Sequence, residues 1–320
     1  MIISDFHAGD GSRKDDLLHN SELTLAVLED YYQRGYRMIL NGDIEERQKF
    51  LPRKIRQQWN DMFALFSRFH AEGRLVRIVG NHDLDLLYQK DLEIPVCEGV
   101  RYSLGENEIF IFHGHQASRF YAVFNDHVGL ILRYILAFLP FKNLSVSHDN
   151  RKRKKLEERV YSFSTRKQVV SIIGHTHRPL FESLSKTDYV KYNIERLCRQ
   201  YTSADPQERL SIEGEIRDLK QHLSVTVPDQ RKDFGSIYHE EFVVPGMFNS
   251  GCVLGKRGIT CIELDRETIS LMYWFDKNRS RRYLRYENYE TQRLEGTPFY
   301  SAAIKSEQLD YIFTRLRLLA

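Results

Sequence analysis

The sequence predicts an α+β protein in which two mixed β-sheets pack together between outer helices, as a four-layer αββα sandwich. Early in the chain, short apolar runs alternate with segments of helical periodicity, which is the pattern of stacked βαβ units with a largely buried sheet. Later in the chain strand patterns dominate, while the helices are concentrated early. This division favours two packed sheets with helices outside them.

The individual elements follow from these patterns. In chain order we predict strand 2–3, helix 22–33, strand 38–40, helix 55–70, and strands 76–79, 108–112, 169–173, 242–244, 259–264 and 268–275. Two helical segments interrupt the order, a cap at about 118–164 and a hairpin at about 185–232. In the hairpin, Asp205 precedes a proline and stands three residues before Glu208, which is a helix-start signature. We treat residues 1–320 as one domain carrying both insertions.

Composition limits the class of protein. A chain of 320 residues with 42% hydrophobic residues can bury a substantial core, and its net charge of only +3 gives no reason to expect nucleic acid as a partner. Four scattered cysteines favour a reducing compartment over a disulfide framework. We expect no signal peptide and no membrane-spanning helix, and therefore a cytoplasmic protein.

The residues that indicate chemistry follow the predicted strands. Polar side chains that end strands gather at one edge of an α/β sheet. Imidazole and carboxylate side chains together suit Mn, Fe or Zn. Seven candidate ligands are too many for one ion, so we expect two divalent ions that share a bridging carboxylate. The residues at the five strand ends are Asp5 and His7, Asp43, Asn81 and His82, His113, and His175 and His177.

Taken in order, these motifs resemble those of the calcineurin-like metallophosphoesterases. The matching stretches are Asp5-Phe6-His7, Gly42-Asp43, Gly80-Asn81-His82-Asp83, His113-Gly114-His115 and Gly174-His175-Thr176-His177, with Asn249-Ser250-Gly251 similar to the family's late strand. The resemblance spans residues 1–177. Each motif alone is weak, but five in the family's order are specific. The resemblance implies the αββα fold, two metal ions with Mn²⁺ the first choice, and hydrolysis of a phosphate ester by a metal-activated hydroxide.

The resemblance also implies roles for single residues. One ion would take Asp5, His7, Asp43 and His177, and the other would take Asp43, Asn81, His113 and His175. His82 would face the substrate and protonate the leaving oxygen, with Asp83 orienting it. Beside what the resemblance implies, three further residues are weaker candidates for contact with substrate: His115, Arg119 and Arg178. His115 could also be a metal ligand, a hydrogen-bond donor to a ligand, or neither. A solvated arginine beside a motif is an equally good interpretation of Arg119 and Arg178.

The cap is the main clue to the substrate. Residues 128–141 are apolar and are followed by a basic run at 151–155, a pairing that suits an anionic membrane surface or an acyl chain. The placement resembles the UDP-2,3-diacylglucosamine hydrolase branch, which cleaves a pyrophosphate bond of a lipid precursor at the inner membrane face. That branch typically has Arg where this chain has His82, and Asp where it has His115, so we predict a cousin of that branch.

Other interpretations stay open. The apolar part of the cap could equally pack on the domain or form a contact between copies of the chain in a homo-oligomer. A nuclease or cyclic-nucleotide phosphodiesterase would use the basic run at 151–155 to bind phosphates. A non-catalytic interaction module on the same fold is a third interpretation, but such modules typically lose metal ligands or the substrate-facing histidine, and this chain retains all of them.

Overall fold

A computed structural model describes residues 1–117, 150–182, 204–226, 244–279 and 289–320, together with residues 194, 197, 198 and 200–202. Its α-helices are α1 Ser21–Gln33, α2 Pro52–Gln58, α3 Asn60–Ala71, α4 Asn150–Lys167, α5 Pro206–Thr226 and α6 Leu309–Leu319. Its strands are β1 Ile2–Ile3, β2 Met38–Asn41, β3 Leu75–Ile78, β4 Val96–Cys97, β5 Gly99–Leu104, β6 Asn107–Phe112, β7 Val170–Ile173, β8 Met247–Asn249, β9 Ile259–Leu264, β10 Thr268–Asp276, β11 Thr291–Arg293 and β12 Phe299–Gln308.

The strands form two mixed sheets. The larger has the order β11-β12-β10-β9-β1-β2-β3-β4, in which β1 to β4 are parallel and β9 joins β1 in the antiparallel sense. The smaller has the order β5-β6-β7-β8, with one antiparallel pair and two parallel pairs. The predicted α+β class and the two mixed sheets are therefore confirmed.

The four layers follow from alternation along the short strands. Ile3 and Leu40 belong to the core that packs against α1 and α3, which contribute Val27 and Phe66 among others. Their neighbours Ile2 and Ile39 point to the other face, where they meet strands of the smaller sheet. On the outer face of the smaller sheet, Leu156 and Val160 of α4 pack against Ile173 and Met247. The order is thus helices, sheet, sheet, helix.

Two expectations about single elements are wrong. A single helix was expected over 55–70, but Trp59 separates α2 from α3, with φ −105° and ψ 29°. Its indole N–H donates to the Gly9 carbonyl and to Asp15, so the residue at the break between the helices is hydrogen-bonded to the loop after β1. Of the strand predicted over 242–244, residues 242 and 243 lie outside the described part, and Val244 is not in a strand; Pro245 and Gly246 follow before β8 begins at Met247.

The insertions are only partly described. Residues 118–149 of the cap, including Arg119, the apolar stretch 128–141 and the expected lipid contact, lie outside the described residues, and α4 covers the remainder of the cap. In the hairpin, the Asp205 carboxylate accepts the backbone N–H groups of Gln207 and Glu208 at 2.8 and 2.9 Å, which confirms the predicted start of α5. Residues 185–193 and 227–232 lie outside the described part. No described helix is long and apolar enough to cross a bilayer.

Candidate metal centre

The predicted ligands stand where strands of both sheets end. Loops after β1, β2 and β3 bring them from the larger sheet, and loops after β6 and β7 bring them from the smaller one. Five of these residues have left-handed backbone, with φ of 57° at Asp5, 46° at His7, 54° at Asp43, 63° at His175 and 55° at His177. Non-glycine residues adopt this conformation at a cost, and such strain gathers at functional sites.

A first group of side chains comprises Asp5, His7 and His177. His177 Nε2 lies 3.1 Å from Asp5 Oδ1 and 3.1 Å from His7 Nε2. His7 Nε2 is 3.9 Å from the same carboxylate oxygen. Three ligand-type atoms from motifs 170 residues apart in sequence therefore surround one small volume.

A second group comprises Asp43, His113 and His175. His113 Nε2 lies 3.1 Å from Asp43 Oδ2, and the His113 and His175 ring centroids are 5.0 Å apart. The same Asp43 oxygen is 3.7 Å from His7 Nε2, in the first group. Asp43 thus lies within 4 Å of a histidine of each group.

Several buried atoms of the site have no hydrogen-bond partner among the described residues. They include Asp5 Oδ1, Asn81 Oδ1 and His113 Nε2. Buried polar atoms are almost always paired, and these three all carry lone pairs suited to a divalent cation. His113 Nδ1 lies 2.7 Å from the Asn41 carbonyl, which makes it the donor and leaves Nε2 as the acceptor. The residues present therefore fit metal ions.

The electrostatics of the site agree with a cation. Burial opposes protonation of His113, but the Asp43 and Asp5 carboxylates outweigh it and raise the pKa of His113 to about 9. Burial, assisted by His113, lowers the pKa of His175 to about 3, so that ring is neutral and can offer a lone pair to a metal ion. Burial raises the pKa of Asp43, but His113, His7 and His82 more than offset it and keep the pKa well below the usual value. Two buried carboxylates facing four imidazoles form a cradle for positive charge.

Residues outside the predicted set hold the ligands. The Asp5 Oδ2 atom accepts the Ser4 hydroxyl and the His175 backbone N–H, the latter at 3.0 Å, so Oδ1 is the oxygen directed at the site. Between His175 and His177, the Thr176 hydroxyl donates to Glu157 of α4 at 2.8 Å and accepts from Asn249 Nδ2 at 2.9 Å. The cap's own helix therefore fastens the Gly-His-Thr-His loop.

His82 has a different acidic neighbour from the one that we expected. Its Nδ1 lies 2.8 Å from Glu46 Oε1, and its backbone N–H donates to Asp43 at 2.7 Å. Asp83, the expected orienting residue, is fully buried and accepts backbone N–H groups of Gly80 and Ile44 instead. Asp83 thus shapes the loop, and Glu46 contacts the ring. Sequence reasoning missed Glu46, because no motif spacing links it to His82 or to His7.

The weaker substrate candidates lie at the edges of the site. His115 is buried, with its ring centroid 5.5 Å from that of His113, and burial lowers its pKa well below the usual value. The side chain of Arg178 is 38% exposed, and its guanidinium lies 3.8 Å from Glu157.

The backbone carbonyl of Asn81 accepts from Gln48 at 2.7 Å, which fixes the loop that carries the Asn81 side chain.

Gly80 leaves no room for a side chain beside Asp43. A Cβ atom there would collide with Asp43 Oδ1 and with the Asp43 backbone nitrogen. We expect Gly80→Ala to displace the carboxylate and weaken metal binding by at least the roughly 10–100-fold that changes around a ligand shell cost. The measurement is a metal titration followed by calorimetry.

Gly214 of α5 supplies the matched control for this change. A Cβ atom there meets nothing within 4 Å. Gly214→Ala should keep metal affinity and add about 0.5–1 kcal/mol of stability, as alanine does in helices. Equal metal affinity in both variants would contradict the tight packing of Gly80 on Asp43.

Comparison with known proteins gives structural likeness only. No family model matches the chain, and no curated protein matches it. Solved structures similar to it include YfcE, a phosphoesterase from E. coli, with 16% identity, TM-score 0.36, and 88% of this chain and 94% of that chain covered. Vps29 from Entamoeba histolytica has 13% identity, TM-score 0.35 and coverages of 87% and 93%.

A third similar structure is a conserved uncharacterized protein from Streptococcus pneumoniae, described as a predicted phosphoesterase. It has 13% identity, TM-score 0.30, and coverages of 86% of this chain and 87% of that chain. Likeness at this level adds no weight to a function. The chain's own features are two mixed sheets between helices, with groups of histidine and aspartate side chains at the strand ends that could hold metal ions.

Proposed function

We propose that this protein is a phosphoesterase that uses two divalent metal ions to hydrolyse a phosphodiester or pyrophosphate bond. The observation that carries the proposal is the pair of ligand groups, Asp5–His7–His177 and Asp43–His113–His175, with Asp43 Oδ2 within 4 Å of a histidine of each group. One ion in each group would be bound by the three side chains of that group. Asn81 would join the second group through its unpaired Oδ1 atom.

Two bound ions of this kind lower the pKa of a shared water and neutralise charge on phosphate oxygens. The ligand set suits Mn, Fe or Zn, and we take Mn²⁺ first. The chain's own residues supply the rest. Buried carboxylates and backbone carbonyl groups orient the ligand histidines, and the left-handed backbone of the loops keeps the candidate ligand atoms close together.

His82 is the residue that would act on the substrate. It is partly exposed, with 18% of its side chain accessible, as is the predicted ligand His177 at 19%, whereas His113 and His175 are buried. Its ring centroid lies 4.5 Å from that of His7, so a phosphate ester held at the metal groups would be within its reach. From this position the doubly protonated ring would donate Nε2–H to a phosphate oxygen and then give that proton to the leaving oxygen, which leaves a neutral ring with Nδ1–H on Glu46.

The position of α4 supports a substrate that reaches the cap. Arg153 of the basic run lies with its guanidinium 3.5 Å from the Thr176 carbonyl, and Arg159 donates to the Ala117 carbonyl at 3.0 Å. Thr176 lies between two predicted ligands, and Ala117 lies four residues after a third, His113. A UDP-linked or lipid-linked substrate, with peripheral contact at the inner face of a membrane, is therefore the class that we propose first.

The test is an activity screen on purified, metal-defined protein. The protein would be stripped of metal with a chelator and then loaded with Mn²⁺, Fe²⁺ or Zn²⁺. Each form would be assayed on simple monoesters and diesters, cyclic nucleotides, nucleotide pyrophosphates, nucleic acid and a UDP-linked diacyl sugar. We expect about two ions per chain and turnover on diester or pyrophosphate. Clearly less than one ion per chain would instead indicate a non-catalytic interaction module. Preference for nucleic acid or cyclic nucleotides would replace the proposed substrate class.

A further inference from the structure

Glu46 is the side chain that connects the two halves of the proposed machinery. Its Oε2 atom lies 3.2 Å from Nδ1 of His7, a predicted metal ligand, and its Oε1 atom lies 2.8 Å from Nδ1 of His82. Glu46 is 2% exposed, and its carboxylate also accepts a hydrogen bond from Lys49 Nζ at 3.0 Å. One buried carboxylate therefore faces the same atom of two different imidazoles.

The backbone keeps Glu46 in this position. The loops after β1 and β2 run side by side, with His7 N–H donating to Asp43, Ala8 N–H to Ile44, and Glu46 N–H back to Ala8, at 2.9 to 3.0 Å. Ala8 and Glu45 also form a parallel bridge. Three hydrogen bonds thus hold the backbone of Glu46 beside that of His7.

Hydrogen-bond chemistry then gives the carboxylate a role. An ionised carboxylate only accepts, so each imidazole must present Nδ1–H to it. In the neutral ring the Nε2 atom then carries the lone pair, which a metal ligand such as His7 would offer to the ion. We propose, on the basis of the proposed function, that Glu46 is a positioning residue that fixes the tautomer and orientation of both His7 and His82, and so couples metal binding to the substrate-facing ring.

Glu46→Gln tests this role with little change in volume. An amide has one acceptor oxygen and one donor nitrogen, so glutamine can accept from only one of the two rings. We expect turnover at saturating metal to fall by roughly 10–100-fold, the range for residues around a ligand shell. Metal affinity should also weaken. Glu29→Gln on α1, which removes an exposed pair with Arg68, is the matched control and should leave both quantities unchanged.

A double-mutant cycle separates positioning from general damage. If Glu46 acts on turnover through His82, Glu46→Gln should cost no further turnover in a His82→Ala background at saturating metal, whereas it should still weaken metal binding through His7. Equal factors in both backgrounds, or unchanged metal affinity, would overturn the proposal. Thermal unfolding of each variant shows that the fold is retained.

A second measurement does not depend on activity. Long-range ¹H–¹⁵N NMR on chelated, full-length protein reports imidazole tautomers at a pH where both rings are neutral. We expect Nδ1–H tautomers for His7 and His82 in the unmodified protein, and a change in at least one of them in Glu46→Gln. Unchanged tautomers would overturn the role of Glu46. Absence of turnover in the unmodified protein would instead contradict the proposed function and leave the NMR result decisive for Glu46.

Discussion

Asp43→Asn is expected to empty both halves of the metal site and to reduce turnover by more than the roughly 10–100-fold seen for changes around a ligand shell. The reason is position. Asp43 Oδ2 lies 3.1 Å from His113 Nε2 and 3.7 Å from His7 Nε2, so the negative charge serves both groups. Asparagine keeps the shape but removes that charge. Elemental analysis of the purified variant, together with turnover of a simple diester, checks the expectation.

Stability supplies an independent readout of the same change. A ligand that binds only the folded state at 100 times its Kd adds about 2.7 kcal/mol to the free energy of unfolding. The unmodified protein should therefore unfold at a higher temperature with Mn²⁺, and Asp43→Asn should lose most of that increase. Asp85→Asn, at a side chain 54% exposed and paired with Arg47, should keep it. Two retained ions per chain in Asp43→Asn would contradict the bridging position.

The order of the layers was predictable because the relevant signals are local. Each short apolar run that forms β1, β2, β3, β6 or β7 ends directly before ligand-type residues, so the strand and its place at the site come from one stretch of sequence. The capping signature at Asp205 is local in the same way and gave the start of α5. Such features need no knowledge of which segments meet in the folded chain.

Pairing between distant strands was not predictable. Ile2 of β1 lies opposite Ile262 of β9, and nothing in either apolar pattern identifies the other as its neighbour. The strands β11 and β12 and the helix α6 were not predicted at all. The polar residues of β12 alternate imperfectly, because its register with β10 shifts after Leu271.

The same limit applies to the site. Ligand types follow strand ends, and the structure brings together the histidines and carboxylates that the motifs named. Residues that hold those ligands depend on contacts between segments far apart in sequence. Glu46 reaches His7 because the loops after β1 and β2 pair through Ala8, and Glu157 reaches Thr176 because α4 packs on the smaller sheet. No spacing rule contains either contact.

The second large expected effect is that of His82→Ala. General acid–base groups contribute about 10²–10⁴-fold to rate, and we expect a loss of turnover within this range. Metal content should stay near two ions per chain, because neither of the two proposed ligand groups includes His82 and Asp43 retains its Oδ2 contacts. Elemental analysis and steady-state kinetics on the same preparation measure both quantities.

Leaving-group chemistry makes this test specific. If His82 protonates the departing oxygen, its loss should matter most for esters with a poor leaving group, such as an alkoxide, and least for a nitrophenolate that leaves without a proton. His70→Ala on α3 is the matched control and should change neither turnover nor metal content. An equal loss across leaving groups would show that His82 binds the phosphate without delivering a proton. Loss of an ion with the ring would instead make His82 a ligand, because His7, Asp43 and His82 also present ligand atoms within 4.8 Å of one another.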